Sequence, residues 1–119
     1  MSCAPEGGGR PLPSITARRD FLAAARARRA STPGFTLQAR PRGDSAPARA
    51  GFTCSRKVGG AVQRNRAKRR LREAARLSLG PRARAGWDYV LIGRPGATAT
   101  RPFEALLADL CAALEQVHR

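Results

Sequence analysis

Residues 51–76 read GFTCSRKVGGAVQRNRAKRRLREAAR, and a strand, a break and a helix are legible in them. In residues 51–55, GFTCS, Phe52 and Cys54 point one way and Thr53 and Ser55 the other, the alternation of a strand. The apolar side is expected to pack on a core. The hydroxyl side, continued by Lys57, is expected to face solvent or a ligand. Gly59-Gly60 marks a sharp break, and a helix follows over roughly residues 61–77. At 100° per residue, Ala67, Leu71, Ala74 and Ala75 fall within about 100° of arc. This narrow stripe of mostly small residues lets the helix lie close on a sheet. Asn65, Arg69, Arg72 and Arg76 fall within about 60° of arc on another side. Arg66 and Arg70 extend that face, while Arg64 and Lys68 flank the apolar stripe from the other direction. The helix is cationic almost everywhere it is not buried.

The charge is concentrated here. The chain has 119 residues, 23 basic and 8 acidic, for a net charge of +15. Residues 55–76 hold 9 basic groups and 1 acidic group, so over half of the net charge sits in under a fifth of the chain. A solvated helix face would pair its cations with acids at i, i+4, yet Glu73 is the only acid available. Unpartnered, these charges repel and destabilise the helix. A polyanion would neutralise them through counterion release, and a nucleic acid fits best. Asn65 is an uncharged donor and acceptor within that face, suited to a base, a ribose hydroxyl or a hydrated metal ion. Arginine outnumbers lysine 21 to 2; a GC-rich genome would give the same bias, so the ratio carries no weight.

The flanking sequence supplies a small α+β sandwich in the order α-β-β-α-β-α. Residues 1–13 are Gly- and Pro-rich and read as a flexible tail, leaving 14–119 as a single RNA-binding domain. Ser14 or Thr16 can cap a first helix over 17–29, which Thr32-Pro33-Gly34 breaks. Residues 35–40 alternate as a half-buried strand, and 41–50 read as a loop. The run WDYVLIG, residues 87–93, is nearly all apolar and is expected to be a central strand. Thr100 can cap a last helix whose Phe103, Leu106, Leu107, Leu110, Leu114 and Val117 form a core-facing stripe.

Several function classes are excluded or disfavoured. No apolar run approaches the length of a membrane span, and no signal peptide is expected. Cys3, Cys54 and Cys111 are widely spaced and His118 is the sole histidine, so no metal site is expected; free, buried thiols in a reducing cytosol are. Nucleophile-elbow, zinc-protease and P-loop patterns are missing, as are acidic pairs for two metals. No catalytic residue is therefore assigned to the chain. A helix-turn-helix needs two adjacent short helices, whereas this basic helix lies between strands. RNA recognised by shape and phosphates fits better. With six aromatic residues in all, base stacking must be sparse. Phe21 is the best candidate, and a core role for it is equally open.

In its residues, the segment 51–76 closely resembles the signature of the bacterial ribonuclease P protein family. There a strand leads through a basic pair and a glycine into a helix bearing Arg-Asn-Arg; here these are Ser55, Arg56, Lys57, Gly59 and Arg64-Asn65-Arg66. The flanks match too: Asp20-Phe21 on the first helix, the strand 35–40, Asp88-Tyr89 and the closing helix. The resemblance implies the protein subunit of a ribonucleoprotein endonuclease that removes the 5′ leader of precursor tRNA. Its partners would be the catalytic RNA and precursor tRNA, with no stable protein partner and no membrane, in the cytoplasm. It also implies that the RNA carries catalysis with Mg2+, that the protein binds no cofactor tightly, and that the βαβ crossover is left-handed, against the usual rule. Carried over by position, Arg64, Asn65, Arg66, Lys68, Arg69, Arg72 and Arg76 would meet the catalytic RNA. Phe21, Thr53, Ser55, Arg56 and Lys57 would hold the leader. The sequence departs from the family at Ala25 and Gln38, where aromatics are frequent, and at Gly60, often Asn. The first two departures reduce stacking surface. A stand-alone RNA-binding or ribosomal protein of similar fold would explain the charge but not the motif spacing.

Overall fold

The computed structural model describes residues 10–119. Four strands, β1 (Arg28–Ser31), β2 (Phe35–Pro41), β3 (Arg49–Thr53) and β4 (Trp87–Gly93), form one sheet in the order β1-β2-β4-β3. β1 is antiparallel to β2 and β2 to β4, while β3 runs parallel to β4. The helices are α1 (Arg18–Ala25), α2 (Ala61–Ala74), the short α3 (Ala97–Thr100) and α4 (Phe103–Val117). Parallel neighbours need a crossover, and α2 is the crossover between β3 and β4. The apolar run 87–93 is central, as its composition requires.

The main core lies on one face of the sheet. Phe35, Leu37 and Ala39 of β2 and Tyr89 and Leu91 of β4 pack with Leu71 and Ala74 of α2 and with Leu106, Leu110, Leu114 and Val117 of α4. On the other face α1 brings Phe21 and Ala24 onto Val90 and Ile92, with Ile15 beside them. The strand expected to be half-buried is therefore buried on both sides, Thr36 and Gln38 included. Cys54 and Cys111 are unbridged thiols; Cys111 is buried, whereas Cys54 is only half-buried.

Several boundaries differ from the sequence reading. The first helix stops at Ala25, not Arg29, and Arg28–Ser31 form an edge strand. Good helix formers are overridden here by tertiary pairing. A hairpin closes at Thr32, whose Oγ1 donates to the Phe35 carbonyl at 2.6 Å. Arg28 reaches across to the end of α4 and donates to the Val117 carbonyl at 2.7 Å. Neither Ser14 nor Thr16 caps α1; Ala17 stands at that position. Pro102, not Thr100, precedes α4, and Thr100 ends α3, donating to the Gly96 carbonyl at 2.9 Å. β3 begins at Arg49 and ends at Thr53. Ser55 then caps a 3₁₀ turn, Arg56–Val58. Past Ala74 the α2 helix widens into a π turn over Ala75–Leu79, closed by Gly80 N–H donating to the Ala75 carbonyl at 2.8 Å.

The expected tail falls mostly on residues 1–9, which lie outside the described residues. Residues 10–13 are tied down. Arg10 N–H donates to the Arg76 carbonyl at 2.7 Å, Ala50 N–H to Pro13 at 2.9 Å, and Ile15 N–H to Ala50 at 3.0 Å. Gly80 makes this possible, since a Cβ there would sit 1.9 Å from the Arg10 carbonyl oxygen.

One buried carboxylate ties the strands together at the start of β4. Asp88, with no exposed side-chain surface, accepts from Arg49 at 2.9 and 2.8 Å, and from Arg42. Arg40 lies 3.6 Å away and also pairs with Asp20 of α1 at 3.2 Å. Burial works against the charge, but the hydrogen bonds from Arg49 and Arg42 outweigh it and hold the carboxyl below its usual range. A carboxyl with a depressed folded value stabilises the fold above its unfolded value, and that stability is lost as pH falls through the folded one. Removing one partner of such a group leaves buried charge uncompensated. Asp88→Asn is therefore expected to cost about 3–5 kcal/mol at neutral pH. In denaturant titrations its gap to the parent should narrow progressively below about pH 4; a gap constant with pH would contradict the charged state. Leu71→Ala, at a fully buried site of α2, should cost about 2–5 kcal/mol in the same titration.

Candidate nucleic-acid interface

The exposed sides of α2 carry the charge. Asn65, Arg66, Arg69 and Arg72 are exposed, and Arg64 and Lys68 are half-buried at the flank. Among the described residues, none of Arg64, Arg66, Lys68, Arg69 and Arg72 has a carboxylate within ion-pair distance. Arg76 is different: its Nε lies 2.6 Å from Glu73, one turn back. Ala67, Leu71 and Ala74 are buried beneath the helix, so the seam read from the sequence is the one that seats it.

Arg70 does not share the unpartnered cationic surface of α2. Its guanidinium donates to the Thr98 carbonyl at 2.7 Å and to the Arg101 carbonyl, closing the C-terminal end of α3. Burial first, and Arg66 second, pull its pKa down.

The residues expected to hold the leader line the other side of β3. Thr53 is half-buried, whereas Ser55, Arg56 and Lys57 are exposed on the turn that follows. Ser55 Oγ accepts the Lys57 N–H at 3.3 Å, which leaves its hydroxyl hydrogen for a ligand. Phe21 is half-buried, with its ring against Gly51. A Cβ on Gly51 would lie 2.6 Å from that ring, so glycine is what admits it. Ala25 and Gly60 are exposed, and Gln38 is buried.

The two groups of residues converge at the edge of β3. Arg72 lies over the Phe52 ring at 5.8 Å. Just past the end of β3, burial pushes the Cys54 thiol up against the pull of a backbone hydrogen bond from Gly93 and of the nearby Lys68, Arg64 and Arg72. A cleft of about 390 Å³ opens where Phe21, Gly51, Phe52 and Arg72 meet Leu12 and Ile15. The sequence reading missed the segment 10–15 that walls this cleft. Residues 10–13 of it read as the end of a Gly- and Pro-rich tail and Ser14 as a helix cap, and no local periodicity signals pairing to β3. The Asp88 cluster was also missed; an acid inside an apolar strand was its one signal.

This sheet, with a self-repelling cationic helix on its crossover, defines a small basic α+β protein built to meet RNA. The ribonuclease P family model matches residues 13–118. The ribonuclease P protein component of Ruegeria pomeroyi is 57% identical over 118 residues, covering 98% of this chain and 91% of that protein. That of Caulobacter vibrioides is 54% identical over 98 residues, covering 82% and 65%. Among solved structures, the ribonuclease P protein of Thermotoga maritima in complex with 1-(4-fluorophenyl)-2-thiourea superposes with a TM-score of 0.68 at 28% identity, covering 88% of this chain and 97% of that one. The Staphylococcus aureus protein, at 22% identity and a TM-score of 0.67 over 89% and 97%, shares the fold. The chain belongs to the ribonuclease P protein family, and the resemblance carried by residues 51–76 is borne out.

The different tasks of neighbouring arginines are separable by melting. Arg70→Ala removes a charged donor from two carbonyls and should cost about 1.5–3 kcal/mol. Arg69→Ala removes only repulsion and should leave Tm unchanged or slightly raised. Equal losses in both variants would show that Arg69 has a structural partner.

Proposed function

We propose that the chain supports the ribonuclease P RNA through α2 and holds the 5′ leader of precursor tRNA along the hydroxyl side of β3. Arg64, Asn65, Arg66, Lys68 and Arg69 meet the catalytic RNA, with Arg72 and Arg76 at the end of the same surface. Thr53, Ser55, Arg56, Lys57 and Phe21 receive the single-stranded leader. The observation that carries this reading is the run of α2 cations without carboxylate partners on a helix seated beside an open, hydroxyl-bearing strand edge. Such a surface gains most from phosphates, which supply the missing counter-charge.

Catalysis is assigned to the RNA. Among the described residues no group of three or more His, Cys, Asp or Glu side chains could hold a metal ion, and the proposed contact surface offers donors and cations in place of carboxylates. Magnesium would bind the RNA–protein holoenzyme through the RNA and supply Lewis-acid chemistry there. The protein's own residues position and neutralise: arginines screen the approach of two polyanions, and β3 with its turn aligns the strand to be cut. No described helix is long and apolar enough to cross a membrane, and the cytoplasm, where tRNA precursors are processed, is the compartment we assign.

Arg64→Ala/Arg66→Ala is the direct test. Affinity for the catalytic RNA should fall. The slope of log K against log salt should flatten by about 1.5, the share of two phosphate contacts. Thermal stability should hold or rise as repulsion is relieved. An unchanged salt slope would place the RNA elsewhere.

A further inference from the structure

We infer that the outer face of α1, with Arg18, Arg19 and Arg26, forms a second RNA-binding surface together with Arg29 of β1. It takes the phosphates of the distal 5′ extension of a precursor transcript, upstream of the nucleotides held at β3. The inference rests on the reading of β3 as the leader surface and carries it to the part of the transcript that β3 does not reach.

The first support is unbalanced charge. Arg18, Arg19, Leu22 and Arg26 fall within about 100° of arc on α1, and all four are exposed. Phe21 and Ala24, which seat the helix, lie on its other side. Arg28 donates to the Val117 carbonyl at the end of α4, so Arg29, the next residue of the strand, faces the α1 side of the sheet. It is exposed there. Among the described residues, none of Arg18, Arg19, Arg26 and Arg29 has a carboxylate within ion-pair distance. Asp20, the one acid of α1, is taken by Arg40 at 3.2 Å and Arg49 at 3.4 Å. The outer face of α1 thus repeats on a small scale what α2 shows: cations left without counter-charge.

The second support is position. α2 and α4 pack on one face of the sheet and α1 on the other. RNA lying along α2 is therefore separated from the outer face of α1 by the sheet itself. The hydroxyl side of β3 lies on the α1 side, because Gly51, Thr53 and Ser55 share one side of the strand and Gly51 meets the Phe21 ring of α1. A strand running along Ser55 and Thr53 reaches α1 next, and its continuation leaves the protein across the outer face. This order assigns the surface to the precursor transcript.

The third support is chemistry. Guanidinium forks match phosphate oxygens. Leu22, 47% exposed, is the large side chain among them, and it can cover a sugar or a base without reading its edge. Phosphate contacts fix position and carry no sequence information. The surface should therefore respond to the length of the 5′ extension and not to its sequence.

The test uses the assembled holoenzyme and precursor tRNAs with leaders of different length, with binding measured across a salt series. For a long leader, Arg18→Gln/Arg26→Gln should flatten the slope of log K against log salt by about 1.4, the share of two single-strand phosphate contacts. The same change should appear when the sequence of the extension is scrambled. For a leader that ends at β3 the slope should not move. Equal flattening for short and long leaders, or for the ribonuclease P RNA alone, would overturn the proposal. So would an unchanged slope at every leader length. Melting of the free variant checks its fold. Should it be destabilised, crosslinking with the parent protein decides: 4-thiouridine in the distal extension should crosslink within residues 18–29, and crosslinks confined to other residues would contradict the assignment. Lys57→Ala separates the two levels. If it weakens binding of every leader while Arg18→Gln/Arg26→Gln leaves each slope unchanged, the outer surface fails and the leader surface stands. If neither variant affects any leader, both fail.

Discussion

A narrow seam of small and branched side chains, Ala67, Leu71 and Ala74, holds against the sheet a helix that its own charge opposes. Most of what is specific to this protein follows from that constraint. Ala67 and Ala74, on either side of the buried Leu71, let α2 lie close on the sheet. Off the seam, Asn65, Arg66, Arg69 and Arg72 are left to solvent. In residues 61–74 the sequence places five arginines and one lysine against a single glutamate. The folded chain therefore carries an unbalanced field at the place where the parallel crossover brings α2 beside β3. An RNA partner relieves that imbalance, so assembly and stability are coupled through the same helix.

The opposite end of the sheet uses charge in the reverse sense. Asp88 is one buried anion among Arg40, Arg42 and Arg49, and Arg42 also donates to the carbonyls of Trp87, Ala46 and Pro47. Arginines there are consumed by structure. Arg28 and Arg70 are consumed likewise, each closing a helix end. The net charge of +15 thus divides into arginines that hold the fold and arginines that await a partner. Composition alone does not separate the two; the hydrogen-bond partner of each guanidinium does.

The readable parts of the fold were those with strong local pattern. The apolar run 87–93 declared a central strand because burial on both faces removes alternation. The leucine stripe of α4 and the Gly59-Gly60 break were equally plain. β1 was not, since Arg28-Arg29-Ala30-Ser31 favours helix locally and becomes a strand only by pairing with β2. Thr36 and Gln38 looked solvent-facing because nothing in β2 announces that α1 will cover them. At the site, the basic face of α2 and the hydroxyl side of β3 were legible from spacing. The cleft between them was not, because one wall is the Pro-rich segment 10–15, whose place is set by contacts distant in sequence at Ala50, Arg76 and Gly80.

Cleavage of a precursor tRNA at low magnesium by the ribonuclease P RNA of the same organism, with and without this chain, tests the central assignment most directly. Cleavage at the mature 5′ end that depends on added protein is the expected result. Equal cleavage in both reactions, with the protein folded and bound to the RNA, would contradict it.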